Sequence, residues 1–287
     1  MQLMSLVNQP FVLLRRTPRA PLHLYVERLW LASGRGNVRR LEKVLPAGTV
    51  QVVIRLHQDT IRLFDERGQF QGKQLLGVMR GATSRPTIVE TQPTSSVVGV
   101  HFRPGGASLF FRDPLNRLTN LRVSSEDVWG SSLHSLRDQL LEQTSPDAIF
   151  DAVEAALLRR MICPSPQFKA VLTAADQFAA DPCTARVKET ARATGYSPKQ
   201  FIKLFEQHVG LTPKIFCRLL RFQAALDQIN GQGAVDWAKT AADRGYYDQS
   251  HLIRDFREFA EMTPSEYRPV APDRKNHVAL SLRNLAR

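Results

Sequence analysis

Residues 191–213 read ARATGYSPKQFIKLFEQHVGLTP, and residues 241–264 read AADRGYYDQSHLIRDFREFAEMTP. The second stretch repeats the landmarks of the first in the same order: a small residue, a Gly-Tyr pair, two apolar positions four apart and a closing Thr-Pro. Ala191 returns at Ala241, fifty residues later, and Thr212 returns at Thr263, fifty-one residues later, because one residue is inserted near Tyr247. The agreement of so many landmarks indicates one helical unit that is used twice.

Each copy has the local signals of a helix-turn-helix. Gly195 and Gly245 stand where a first helix must end in a left-handed cap, a conformation that glycine adopts without steric cost. Ser197 and Pro198 are favoured at the N-cap and first position of the helix that follows, and Asp248 takes the N-cap position in the second copy. We therefore expect two helix-turn-helix motifs.

The stretch between the two copies predicts a long connecting helix over Pro213–Ile229. Thr212 caps this helix, and its apolar residues recur at helical spacing along one face. At about 1.5 Å per residue the helix is roughly 25 Å long. A rigid spacer of that length would hold two recognition helices about one DNA turn (~34 Å) apart, in successive major grooves.

The first half of the chain has the pattern of a small β-domain. Four short stretches rich in β-branched residues are bounded by Gly, Pro, Asp or Ser, as strands require. These stretches are residues 51–56 (QVVIRL), 60–64 (TIRLF), 86–90 (PTIVE) and 96–102 (SVVGVHF). From Ser125 to about Met161 apolar residues recur at helical spacing, which predicts a helical bridge.

The predicted architecture is α+β with two domains. Residues 1–162 form a β-rich domain with a helical C-terminal part, and residues 168–270 form an all-α domain that contains both helix-turn-helix motifs. Between them, residues 163–167 (CPSPQ) form a linker, because two prolines interrupt helical structure. Residues 271–287 are expected to be a tail, either a short helix or a segment without regular structure.

Composition excludes several classes of protein. The chain has 287 residues, of which 43% are hydrophobic and 23% charged, and this excludes collagen-like, coiled-coil and disordered chains. The net charge of +12 suits nucleic acids, although anionic membranes and acidic partners also attract basic proteins. The basic excess is +6 on either side of the boundary at Pro182, so charge alone does not place a binding surface.

The number and spacing of the cysteines and the length of the apolar stretches indicate the cellular compartment of the protein. The three cysteines are an odd number and contain no CxxC pair, which argues against a disulfide scaffold or a cysteine zinc site. The sequence has no apolar run near the ~20 residues that span a bilayer. Arg15 and Arg16 follow the apolar N-terminal stretch, whereas a secretory signal has its charges first. We therefore expect a cytoplasmic protein without a membrane partner.

The double motif resembles the DNA-binding domain of the AraC/XylS family of transcription regulators. The resemblance covers about residues 170–268 and includes Arg221 and Ala225 in the connecting helix. Its most specific parts are residues 195–205 (GYSPKQFIKLF), 210–213 (GLTP), 241–256 (AADRGYYDQSHLIRDF) and 262–268 (MTPSEYR). The sequence departs from the family pattern at Trp237, where an Ile-like residue is usual, and at Glu261, where glycine is usual and the helix could therefore end differently.

The resemblance also implies which residues contact double-stranded promoter DNA. They are Lys199, Ile202 and Lys203 in the first recognition helix, and Gln249, Ser250, His251 and Arg254 in the second. Basic side chains reach phosphates, and polar side chains reach base edges in the major groove. Ile202 either touches a thymine methyl group or marks a helix that reads few bases.

The first half resembles, more faintly, a cupin-like sensor domain, through residues 45–54 (LPAGTVQVVI) and 98–107 (VGVHFRPGGA). That resemblance implies a domain that binds a small-molecule effector, pairs two chains into a homodimer, or does both. The whole chain is then expected to be a sequence-specific DNA-binding transcription regulator and not an enzyme. Activation is favoured over repression, with RNA polymerase as the partner of an activator, while the effector and the operator stay unidentified.

Two alternatives stay open at this point. A cupin-like metal-dependent enzyme with a helical appendage would need metal ligands, but His57 and His101 have no partner at ligand spacing, and Arg103 disfavours a cation beside His101. We therefore expect no metal, no cofactor and no catalytic residue. A non-specific nucleic-acid-binding protein would lose its DNA to random competitor. Residues 103–106 (RPGG) could cradle an anion with backbone amides, although a plain loop turn is the better interpretation.

Overall fold

The computed structural model describes residues 11–35, 40–56, 61–65, 67–92, 94–184, 186–229 and 235–280. His57, one of the two histidines considered as metal ligands, lies outside these ranges. The described residues confirm the α+β fold, with a β-rich first half and a helical second half. Within these ranges, no helix combines the length and the apolar character needed to cross a membrane.

The strands, all but the last of them in the first half of the chain, form two antiparallel sheets and a hairpin. In chain order they are β1 (Val12–Arg16), β2 (Val26–Arg35), β3 (Arg40–Val44), β4 (Gln51–Arg55), β5 (Ile61–Phe64), β6 (Phe70–Leu75), β7 (Gly77–Arg80), β8 (Thr87–Thr91), β9 (Thr94–Phe102), β10 (Arg122–Ser124) and β11 (His277–Ala279). The larger sheet has the order β1-β2-β9-β4-β7-β10, the smaller has the order β11-β3-β8, and β5 pairs with β6. Because β-branched residues fill the inner positions, the larger sheet buries one face in the core.

The helices begin where capping side chains favour them. In chain order they are α1 (Ser125–Trp129), α2 (Ser132–Glu142), α3 (Pro146–Arg160), α4 (Pro166–Ala180), α5 (Val187–Ala193), α6 (Pro198–Val209), α7 (Pro213–Ile229), α8 (Trp237–Asp243) and α9 (Gln249–Ala260). Before α4, the Ser165 hydroxyl accepts a hydrogen bond from Phe168 N–H at 3.1 Å, and Pro166 opens the helix. Helix α4 therefore begins inside the expected linker 163–167, because a proline at the first helical position starts a helix instead of interrupting one.

The expected tail, residues 271–287, needs a correction as far as it is described. Strand β11 lies in this segment and pairs antiparallel with β3 of the N-terminal half, with Val278 opposite Lys43. Tyr267 donates a hydrogen bond through its hydroxyl to the Lys275 carbonyl at 2.7 Å and guides the chain toward that sheet. A three-residue strand has too little periodicity to be predicted, since it exists only through the sheet edge that it joins.

The two halves share one continuous apolar core. The C-terminal end of α6 packs on two short 3-10 turns of the N-terminal half, Gly106–Leu109 and Leu115–Leu118. Ser108 Oγ lies 2.6 Å from His208 Nδ1, and a Cβ on Gly210 would lie only 3.0 Å from the Ala82 Cβ. The first helix-turn-helix is therefore in direct contact with the N-terminal domain.

Candidate nucleic-acid interface

The first helix-turn-helix consists of α5, the turn at Gly195 and α6. Gly195 has a φ of 77°, in the left-handed region where a side chain is strained. Ser197 then begins α6 with a capping box: its hydroxyl accepts from Gln200 N–H at 3.3 Å, and Gln200 Oε1 accepts from Ser197 N–H at 3.2 Å. Phe201 and Phe205 are fully buried. The cap and the core thus fix α6 with its opposite face outward.

The outer face of α6 carries three of the residues predicted to contact DNA. Lys199 and Lys203 are exposed, and Ile202 is 40% exposed. The two lysines give this face a positive charge that suits phosphates, while Ile202 offers an apolar contact for a thymine methyl group. Gln200 lies on the same stretch, but its side chain is engaged in the cap and offers less to DNA.

The second helix-turn-helix has the same construction from α8, the turn at Gly245 and α9. Gly245 has a φ of 68°. The Asp248 carboxylate caps α9 by accepting from His251 N–H at 2.7 Å, and Asp236 caps α8 by accepting from Lys239 N–H at 2.9 Å. The repeat that the sequence shows is thus a repeat of structure.

Of the four residues of α9 that are predicted to contact DNA, three are exposed to solvent on the outer face of the helix. Gln249, Ser250 and Arg254 are exposed, whereas His251 is half-buried with its ring edge-on to the Tyr246 ring at 5.2 Å. His251 therefore supports the turn more than it offers its ring to a ligand. Tyr247, which sequence reasoning did not select, is 95% exposed beside this face. The one-residue insertion in the repeat was the signal that could have found it.

A buried ionic contact joins the connecting helix α7 to α9. The Arg218 guanidinium donates to the Asp255 carboxylate at 2.6 Å and to the Glu258 carboxylate at 2.5 Å, and it lies over the Phe259 ring at 5.1 Å. Burial alone would lower the pKa of Arg218, but the hydrogen bonds that Arg218 donates to Glu258 and Asp255 outweigh burial and raise that pKa. The position of Asp255 on the apolar side of α9 signals a buried carboxylate that needs a partner, but the sequence does not identify Arg218 as that partner.

The neighbouring arginine on α7 holds the second turn. Arg221 donates to the Gly245 carbonyl at 3.1 Å, and its guanidinium lies 5.6 Å from the centre of the Tyr246 ring. Burial and the negative charge of Asp255 raise the pKa of the Tyr246 hydroxyl, so it stays protonated. The position of α9 relative to α7 is thus fixed by Arg218 and Arg221 together.

At Glu261, where the sequence departs from the usual glycine, α9 ends in a left-handed cap. Glu261 has a φ of 54° and forms the left-handed cap that glycine usually supplies. Its side chain accepts from Lys43 Nζ of the N-terminal domain at 2.7 Å. This ion pair offsets part of the backbone strain that a non-glycine residue has there.

His101 has the environment of a buried structural histidine. Its Nε2 lies 2.6 Å from Thr49 Oγ1, and burial lowers its pKa to about 3, helped by the positive charges of Arg28 and Arg80. Across the described ranges, no three His, Cys, Asp or Glu side chains are grouped as metal ligands. The turn after Arg103 is closed by Gly106 N–H donating to the Arg103 carbonyl at 2.9 Å, so that amide is not free for an anion.

Two protein families match separate parts of the chain. Residues 190–269 match the helix-turn-helix domain family, and residues 14–124 match a domain of unknown function (DUF6597). An uncharacterized HTH-type transcriptional regulator from Haemophilus influenzae is 28% identical over 82 residues, which are 29% of this chain and 27% of that protein. The matched segment thus spans about a quarter of the length of this relative.

Two solved structures are similar to the chain at low identity. A transcriptional regulator with an AraC-type DNA-binding domain from Chromobacterium violaceum is 22% identical, with a TM-score of 0.31 over 34% of this chain and 88% of that chain. Apo ToxT from Vibrio cholerae is 10% identical, with a TM-score of 0.42 over 91% of this chain and 97% of that chain. Residues 190–269 thus match a helix-turn-helix domain, as the repeated motifs predict.

Proposed function

We propose that the protein is a sequence-specific DNA-binding transcription regulator that acts in the cytoplasm. The observation that carries this proposal is the repetition of one structure: two capped recognition helices, each with an exposed polar face, on either side of one rigid helix. Seventeen residues at about 1.5 Å each give α7 the length to place α6 and α9 in successive major grooves.

The DNA contacts follow from which side chains are exposed. Lys199 and Lys203 on α6 and Arg254 on α9 supply positive charge for phosphates and guanine edges. Gln249 and Ser250 add neutral donors and acceptors at the start of α9, and Ile202 adds an apolar contact. His251 contributes through its backbone position at the helix start, because its ring packs on Tyr246.

The N-terminal domain is proposed to respond to a small-molecule effector, to pair two chains, or to do both. Its contact with α6 at His208 and Gly210 supports this role, since a change in the N-terminal domain reaches the first recognition helix directly. The family resemblance favours activation, with RNA polymerase as the further partner.

A competition gel shift tests the proposal. Full-length protein is mixed with labelled DNA from upstream of its own gene, and with the corresponding DNA of neighbouring genes, at about 0.15 M salt and excess random competitor. We expect a discrete complex that survives the competitor and is lost in a Lys203→Ala, Arg254→Ala double variant. Complexes that disappear equally with any competitor would indicate a non-specific nucleic-acid-binding protein instead.

A further inference from the structure

An open cleft of about 540 Å³ lies on the N-terminal domain between the β5–β6 hairpin and β8. Its apolar wall includes the buried side chains of Leu63, Phe64 and Ile88 together with Pro86. A volume of this size is typical of small-molecule sites, and apolar walls of this kind hold the body of a ligand. The cleft is separate from the DNA-facing helices α6 and α9.

The polar lining of this cleft is strongly basic. Arg67, Arg85 and Arg122 line it, and Asp65 is the carboxylate that faces them among the described lining residues. The Asp65 carboxylate already accepts from the backbone N–H groups of Arg67 at 2.9 Å and Gln69 at 2.8 Å within the hairpin turn. Asp65 Oδ1 is therefore used within the turn, and arginines outnumber carboxylates among the described lining residues.

Arg122 belongs to a pair of neighbouring guanidinium groups. Strand pairing places Arg122 directly opposite Arg80, so their side chains lie on the same face of the sheet. Arg122 donates to the backbone carbonyls of Ile88, at 2.6 Å, and Phe64, and Arg80 donates to Thr87 Oγ1 at 3.3 Å and Gln51 Oε1 at 3.0 Å. All four acceptors are neutral, so none of them cancels a charge.

The charges of this pair remain uncompensated in the described structure. Burial lowers the pKa of Arg122, and burial followed by the charge of Arg122 lowers the pKa of Arg80 to about 10. Arg80 is 9% exposed, and its Nε has no hydrogen-bond partner among the described residues. A buried cation next to a half-buried one is costly when their hydrogen-bond acceptors among the described residues are all neutral, and an anion bound beside Arg122 would reduce that cost.

The geometry points to this cleft as the binding site of a small organic anion, a monocarboxylate with an apolar body. Guanidinium groups recognise a carboxylate through charge-assisted hydrogen bonds, and both Arg122 and the exposed Arg67 line the cleft. The apolar wall takes up the remainder of the ligand. This inference rests on the proposed function, because it names the class of effector to which the regulator responds.

The cleft is also connected to the first recognition helix. Residues 120–122 line the cleft, and the preceding Thr119 donates its hydroxyl to the Gly210 carbonyl at the end of α6. On the other wall, Thr83 follows Ala82, whose Cβ would touch a side chain at Gly210. Asn120 N–H donates to the Ala82 carbonyl at 3.1 Å and joins the two walls. Ligand contact with Arg122 therefore acts on the segments that position α6.

Calorimetric titration of the full-length protein tests the site. The probes are benzoate and hexanoate, with benzamide as a neutral counterpart and inorganic phosphate as an anion without an apolar body. We expect saturable 1:1 binding of at least one carboxylate, and binding about tenfold weaker or more for benzamide and phosphate, since each lacks one of the two contacts. Failure of both carboxylates to bind, or equal binding of benzamide or phosphate, would overturn the assignment.

Three variants with the same change in charge locate the site. Arg122→Gln should weaken carboxylate binding about tenfold or more, and Arg67→Gln, at the exposed mouth, should weaken it several-fold. Arg159→Gln removes an exposed arginine of α3 outside the cleft and should bind like the unmodified protein. Arg67 is exposed, so Arg67→Gln keeps the test valid if Arg122→Gln does not fold. Unchanged binding in both cleft variants would place the ligand elsewhere.

DNA binding in the same preparations separates this inference from the proposed function. With a saturating carboxylate, we expect the Kd for the DNA site to change about fivefold or more, and Arg67→Gln should need a several-fold higher carboxylate concentration to give the same change. If the protein binds its DNA site with the same Kd whether or not a carboxylate is bound, the effector role of the cleft is wrong, and the proposed DNA-binding function is unaffected. Carboxylate binding without any specific DNA complex would instead overturn the proposed regulator.

Discussion

The two helix-turn-helix units are built alike but attached differently. The first unit touches the N-terminal domain directly, through His208 and Gly210 at the end of α6. The second unit is held by α7, through Arg218 and Arg221, and contacts the N-terminal domain through Glu261 and the chain that follows it. The repeated sequence thus forms the same local structure twice, but different contacts attach the two copies to the rest of the protein.

This difference suggests a division of work between the copies. The first recognition helix is placed to move with the N-terminal domain, whereas the second is fixed to the connecting helix.

The contact between the N-terminal domain and the chain that follows α9 is centred on Glu42, a fully buried carboxylate of β3. Glu42 accepts hydrogen bonds from Arg274 at 2.5 Å, His277 at 2.8 Å and Arg40 at 2.8 Å.

The largest expected effect comes from breaking the attachment of the second unit to α7. Asp255→Asn removes the buried charge that pairs with Arg218, and we expect a loss of about 3 kcal/mol in the free energy of unfolding. Urea unfolding of the full chain measures this loss. Glu258→Gln is the matched control, because Glu258 is half exposed and its pair with Arg218 should contribute less than about 1 kcal/mol. Equal effects of the two variants would show that burial does not distinguish the two carboxylates.

The stability contributed by the contacts of Glu42 with the chain that follows α9 should depend on pH. Burial alone would raise the pKa of Glu42, but the hydrogen bond from His277 and the charge of Arg274 lower it to about 2. The pKa of Glu42 is lower in the folded protein than in the unfolded chain. The contribution of its carboxylate to the free energy of unfolding is therefore present above about pH 4.5 and is lost as the pH falls toward 2.

Glu42→Gln tests that link. We expect it to reduce the free energy of unfolding by about 2–3 kcal/mol at pH 7, with the difference from the unmodified protein shrinking steadily below about pH 4.5. Denaturant unfolding between pH 7 and pH 3 measures the difference. A pH-independent difference would show that the charge of Glu42 is not what holds the strand β11.

Single substitutions on the two recognition helices should separate their contributions to DNA binding. Arg254→Ala is expected to relax specificity by about 1–2 kcal/mol at the base pair that it contacts. Lys203→Ala should weaken binding similarly on all sequences and reduce the slope of log K against log salt by about one. Fluorescence anisotropy measures both effects when the binding constants for the specific site and for mismatched DNA are determined at several salt concentrations. The same specificity and the same salt dependence in the two variants would contradict the assigned roles.

The smallest expected effect concerns the end of α9. Glu261→Gly relieves the left-handed strain, about 1 kcal/mol, and loses a partly exposed ion pair with Lys43 that contributes less than that. We expect a net gain below about 1 kcal/mol in the free energy of unfolding. Lys43→Gln, which removes the ion pair and keeps the strain, is the control and should be slightly destabilising. A clear loss of stability in Glu261→Gly would show that the ion pair outweighs the strain.

Local signals in the sequence predicted the two helix-turn-helix units correctly. The caps at Ser197 and Asp248, the turns at Gly195 and Gly245, and the outward faces of α6 and α9 follow from residues within a few positions of one another. The assignment of individual DNA contacts stays a prediction, although the exposed positions are compatible with it. His251 is the exception in geometry, because its ring turns onto Tyr246.

Features that join distant parts of the chain were not predictable in this way. The Arg218 contact spans 37 residues to Asp255, and the Arg274 contact spans 232 residues to Glu42. Arg122, which lines the cleft, and Arg80 come together only because β7 and β10 are neighbours in the sheet. No spacing rule connects such residues, since their proximity depends on the whole topology.

By itself, the sequence determined that this chain repeats a helix-turn-helix, because caps, glycine turns and apolar spacing act within one or two helical turns. It also determined the β-rich character of the first half, through runs of β-branched residues. Only the tertiary structure decided that the segment after α9 returns as a strand to β3, that α6 packs on the N-terminal domain, and that arginines gather at the cleft. Those outcomes depend on burial and pairing between residues far apart in the chain, which is where the free energy of tertiary packing lies.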